Sequence, residues 1–127
     1  MKCNFQRRLQ RVEYEGLSDV LSDVRDIMEI LHKDGGSVAI VCRGEEAEFI
    51  IKDMMDYDFA VLDFNAIDYK GEYLVELTSD FELYCEPCIR RDGSIPAIEG
   101  SDIVFTFEDV DPEIVERIDS PVVIYSI

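Results

Sequence analysis

Basic side chains are scarce in this chain. Lys and Arg total 12 of 127 residues against 29 Asp and Glu, a formal net charge of −17. That shortage argues against direct binding to nucleic acid or an anionic membrane, because such surfaces are built from Lys and Arg. Histidine is rarer still: His32 is the single one, with no neighbouring Ser, Cys or paired acid to support a catalytic triad. No apolar run approaches the ~20 residues of a membrane span, and no apolar stretch follows the basic N-terminus as a signal peptide requires. A cytoplasmic location is therefore expected, where Cys3, Cys42, Cys85 and Cys88 are reduced thiols unless they hold metal or do redox work. The seven glycines form no phosphate-cradling loop, and the chain has no internal repeat, low-complexity tract or linker.

What is present is enough to fold. A hydrophobic content of 47% over this length argues against disorder and predicts one domain with a real core. The charge is unevenly spread. Residues 1–11 hold Lys2, Arg7, Arg8 and Arg11 with no acid, and residues 12–127 hold 8 basic and 29 acidic residues, a balance of −21. Such a body repels itself when compact, an effect that salt, a bound cation or a basic partner offsets.

Helical spacing of Leu17, Val20, Leu21, Val24, Ile27, Met28 and Leu31 predicts a helix over 17–33, with Ser18 as N-cap and Gly35-Gly36 as the stop. Residues 2–14 fit helix or strand equally well. Val38–Cys42 reads as a buried strand ended by Gly44, followed by a second helix over 45–56 with a Glu48–Lys52 pair. From residue 58 the period falls to two, predicting strands at 59–64, 72–78, 81–86 and 102–108, the middle pair as a hairpin. Pro112 opens a short helix, 112–118, and Val122–Tyr125 is the last strand. The expected class is α+β: a single domain, mainly an antiparallel sheet of four to six strands packed against two to three helices, with residues 1–14 as a basic arm.

Alternation in those strands sorts the side chains. Tyr73, Val75, Leu77, Leu83, Cys85, Phe105 and Phe107 take the core side. The other side collects Glu72, Glu76, Asp80, Glu82, Glu86, Asp102 and Glu108, and Asp109 and Asp111 extend it. Same-face residues lie ~6.7 Å apart along a strand and neighbouring strands ~4.8 Å apart, so this face approaches the charge density of a phosphate backbone. Charge runs are commonly solvated surface that only keeps a protein soluble. Lys and Arg are nearly absent from the proposed face, however, and solubility alone does not require one sign.

Other chemistry has less behind it. Cys85-Glu86-Pro87-Cys88 is a C-x-x-C, but it ends a strand instead of opening a helix, where a dipole would lower the first thiol's pKa. Zinc needs two further ligands, and Cys3, Cys42 and His32 make no second close pair. The run Glu108 to Glu113 has acids but lacks the glycine of a calcium loop. Cys85 and Cys88 are thus minor metal or thiol candidates, no catalytic residue is assigned, and no cofactor is expected.

The segments Glu72-Tyr73-Leu74-Val75-Glu76-Leu77, Leu83-Tyr84-Cys85-Glu86-Pro87, Arg91-Asp92-Gly93 and Ser101-Asp102-Ile103-Val104 resemble small uncharacterised acidic proteins of phages and conjugative elements of Firmicutes. The resemblance spans about residues 70–110 and implies a mobile-element accessory protein, with no site residue carried over. It also implies no second cysteine, so the C-x-x-C departs from the pattern. The expected function is a non-enzymatic acidic protein that mimics DNA phosphates to block a basic nucleic-acid-binding protein, for example a defence nuclease, as anti-CRISPR or anti-restriction inhibitors do. The alternative is an adaptor or assembly protein of a mobile element whose charge serves solubility.

Overall fold

The computed structural model describes residues 9–64 and 71–127. Lys2, Arg7 and Arg8 of the basic arm lie outside the described residues, as do Cys3 and Lys70. In chain order the elements are β1 (Leu9–Glu13), α1 (Leu17–Leu31), β2 (Ser37–Arg43), α2 (Gly44–Asp56), β3 (Ala60–Phe64), β4 (Glu72–Thr78), β5 (Glu82–Pro87), β6 (Ile103–Phe107), α3 (Pro112–Glu116) and β7 (Val122–Ser126).

The strands form one sheet in the order β1-β7-β6-β2-β4-β5-β3. The α+β class stands, with three helices against the sheet among the described residues. Two details differ from expectation. The described residues form seven strands where four to six were expected, because the ambiguous start of the chain supplies β1, parallel to β7 at one edge. The sheet is also mixed: β1, β7, β6 and β2 run parallel, as do β5 and β3, and only β4 runs against both its neighbours. A period of two marks a strand but carries no direction. Direction comes from the connections, and each helix here spans a crossover between parallel strands.

The crossovers also place the helices. From β1 to β2 and from β2 to β3 the chain moves the same way across the sheet, and from β6 to β7 it moves back. Right-handed connections then put α1 and α2 on one face and α3 on the other. Two contacts agree: Arg25 of α1 pairs with Asp53 of α2, and Val61 of β3 shares a cleft with Ile51 and Met55 of α2. The chain leaving β5 must return across the sheet to reach β6. It does so on the α3 side, where Ile98 bridges Ile118 and the Ser120 hydroxyl donates to the Ser101 carbonyl at 2.7 Å.

Central strands are therefore covered twice. Val38, Ala39, Ile40, Val41 and Cys42 of β2 are all buried, as are Val104, Phe105, Thr106 and Phe107 of β6. This is why β2 reads as a continuous apolar run instead of an alternating one. On α1 the buried stripe is Val20, Leu21, Val24 and Met28. Its N-cap is Gly16, not Ser18, because partly buried Leu17 already belongs to the stripe and draws the first turn two residues earlier.

Candidate functional site

The period-two alternation holds where it was sharpest, in the β4–β5 hairpin. Leu77 faces Leu83, and Val75 faces Cys85, on the side packed by α1 and α2. Glu76 faces Tyr84 and Leu74 faces Glu86 on the other side. The turn between the strands closes through the Phe81 amide, which donates to the Thr78 carbonyl at 3.0 Å. Phe81 takes a left-handed φ of 60° there. Its ring packs at a tilt against Phe59 and His32, with centroids 5.2 and 5.7 Å away.

Register sets the spacing of the acids. Read along the hairpin, Glu72, Glu86, Glu76 and Glu82 occupy successive levels two residues apart, alternating between strands. That is one carboxylate per ~6.7 Å, half the linear density of a single DNA strand at one phosphate per ~3.4 Å. Glu72, Glu76 and Glu82 are half-buried and Glu86 is exposed. Between them Leu74 and Tyr84, also half-buried, form the floor of a depression of about 170 Å³ bordered by Glu76 and Glu86.

No protein-family model, curated protein or solved structure matches the chain.

The remaining acids of the expected face lie elsewhere. Asp80 sits in the hairpin turn. Asp102 stands at the same end of the sheet, where its carboxylate accepts the Ser37 amide at 2.9 Å. Glu108, Asp109 and Asp111 lie at the opposite end, beyond β6. Asp109 pairs with Arg43 at 3.5 Å, and Asp111 caps α3 by accepting the Glu113 amide at 2.9 Å. β2 separates β6 from β4, and Val104 and Thr106, which alternation puts on the same side of β6 as Asp102 and Glu108, are buried. The expected continuous face thus contracts to four glutamates around an apolar floor. Alternation puts Leu74 and Tyr84 on the same side as these glutamates, and the register sets them between the carboxylates.

The thiols are shut away. Cys85 and Cys88 are 1% and 4% exposed, and both are unoxidised. Burial, followed by the charges of Glu72 and Glu86, pushes the Cys88 thiol far above its ordinary range; burial does the same to Cys42. Thiolates are therefore disfavoured at both positions. Among the described residues no group of three His, Cys, Asp or Glu side chains converges as metal ligands would. His32 ends α1 as its C-cap, with Nδ1 donating to the Ser79 carbonyl at 2.9 Å, a structural contact.

Proposed function

We propose that this chain is a non-enzymatic binding protein whose β4–β5 face engages a basic, nucleic-acid-binding protein in place of phosphate, as an inhibitor of a defence nuclease would. The observation that carries this reading is the spacing of Glu72, Glu86, Glu76 and Glu82 around Leu74 and Tyr84. Carboxylates at alternate-phosphate spacing attract Arg and Lys, while an apolar floor takes up their aliphatic stems. An apolar centre with a charged rim is also the usual anatomy of a protein interface.

Purified restriction and CRISPR nucleases are the proteins to try first. Binding should compete with the nuclease's own nucleic acid and weaken steeply with salt. Glu76→Lys with Glu82→Lys should cut affinity by about tenfold or more. Glu108→Lys, at the far end of the sheet, should change it by less than about twofold, since it touches none of these contacts. Binding that ignores salt would overturn phosphate mimicry.

A second reading has its own support. Met55, Tyr57, Leu62 and Phe81 are large apolar side chains, each 45–55% exposed, around the end of α2 and the edge strand β3. They favour an adaptor that docks through this edge. Its binding would survive the Glu76 and Glu82 reversals.

A further inference from the structure

The parallel strands β6 and β2 lie side by side and end at one edge of the sheet, where their onward connections part. β2 leads into α2 on one face and β6 into α3 on the other. Such a divergence leaves a crevice outside the strand ends, the place where open α/β sheets take their ligands. Here the crevice measures about 160 Å³, and Arg43, Glu46, Phe107, Glu108, Asp109 and Tyr125 stand around it.

Tyr125 is the informative member. It is 1% exposed, and its hydroxyl has no hydrogen-bond partner among the described residues. A buried hydroxyl left unpaired costs stability, and phenylalanine would supply the same packing without it. Burial, then the charge of Glu46, pushes its pKa up, so the group remains a neutral hydroxyl.

The surrounding charge selects the ligand's sign. The N-terminus of α2 opens here and would suit an anion. Its first turn, however, already carries Glu45 and Glu46, and the Glu46 side chain accepts the Arg43 amide at 3.0 Å. Arg43 is matched by Asp109, and Glu46 and Glu108 remain, so the crevice is net negative. The chain also shows what its walls accept: the Arg43 guanidinium lies 4.6 Å over the Phe107 ring while pairing with Asp109. Both partners of that pair are more than half exposed, which makes it weak and displaceable.

We propose that this crevice is a second binding site, one that takes a guanidinium group over Phe107 with its N–H donors directed to the Tyr125 hydroxyl and the neighbouring carboxylates. The group belongs either to a free small molecule or to an arginine side chain of a polypeptide. Titrating the ¹⁵N-labelled 127-residue chain with methylguanidinium, followed by amide shifts, tests the site. Methylammonium and sodium chloride at matched ionic strength are the controls, and an arginine-containing tripeptide distinguishes the two sources. Saturable shifts at Gly44, Glu46, Asp109 and Tyr125 are expected, stronger for methylguanidinium than for methylammonium. Tyr125→Phe should weaken binding by about tenfold without lowering the melting temperature of the free protein, since the lost hydroxyl has no partner in the fold. Asp109→Asn, at an exposed position, should also weaken it, and Glu76→Lys should not. Tighter binding of the tripeptide assigns the group to a polypeptide; equal binding assigns it to a free cation. Shifts reproduced by sodium chloride, or unchanged affinity in both Tyr125→Phe and Asp109→Asn, would overturn the proposal.

Discussion

Asp58 holds a backbone conformation that suits another residue better. Its φ is 69°, and it stands just after the C-cap of α2, where the chain reverses. The Phe59 amide donates to the Met54 carbonyl and the Asp58 amide to the Met55 carbonyl, both at 3.1 Å. This is the paired bonding of a Schellman ending, in which glycine is the usual occupant because it lacks the Cβ that crowds a left-handed backbone. An acidic side chain here also faces the negative end of the helix dipole. Asp58→Gly should therefore stabilise the fold by roughly 0.5–1 kcal/mol once glycine's greater freedom in the unfolded chain is allowed for. A urea titration reads this as a higher midpoint at unchanged slope, and a lower midpoint would mean that the Asp58 side chain has a role its exposure conceals. Phe81 shares the left-handed backbone but not the forecast, because glycine there would lose the ring's contacts with Phe59 and His32.

Between elements, the joint of α1 with α2 rests on Arg25. Its guanidinium pairs with Asp53 and lies 3.9 Å over the Tyr57 ring, with 23% of the side chain exposed. Arg25→Ala removes an ion pair, a cation–π contact and the packed stem together, and should cost about 1–2 kcal/mol. Lys52→Ala removes only the exposed Glu48–Lys52 pair, 3.6 Å apart, and should cost at most about 0.5 kcal/mol. Equal losses in chemical denaturation would mean that burial is not what separates the two pairs. The same contrast of burial decides what was legible in the sequence. The β4–β5 hairpin and its glutamates could be read because one side of the hairpin is core and the other is not, so alternation carries the facing. β6 has no such contrast: Val104 and Thr106 are as buried as Phe105 and Phe107, and the expectation that Asp102 and Glu108 continue an outer acidic row failed there. Parallel pairing was hidden for a related reason, since it depends on crossovers between residues far apart in sequence. Asp111 reads as one more acid in a run until the following Pro112 and the Glu113 amide show it to be a helix cap. The crevice at the ends of β2 and β6 had no local signature, because its members come from three separate segments.

For the whole molecule, charge opposes the fold while it would favour the proposed basic partner. At −17 the compact state repels itself, and among the described residues only three ion pairs oppose this, two of them exposed. Exposed pairs contribute at most ~1 kcal/mol each, whereas the repulsion is spread over every unpaired carboxylate. Screening should therefore remove more repulsion than attraction. Raising sodium chloride from about 10 to about 500 mM, which shortens the screening length from roughly 30 Å to about 4 Å, should raise the melting temperature of the free protein. The same salt should weaken the complex with a basic partner, because there the screened term is attractive. The two trends together separate a functional acidic face from charge that serves solubility alone. Under phosphate mimicry stability rises while affinity falls steeply, and Glu76→Lys with Glu82→Lys flattens the affinity trend far more than the stability trend. Under solubility alone only the stability trend appears, and partner binding is as strong at high salt as at low.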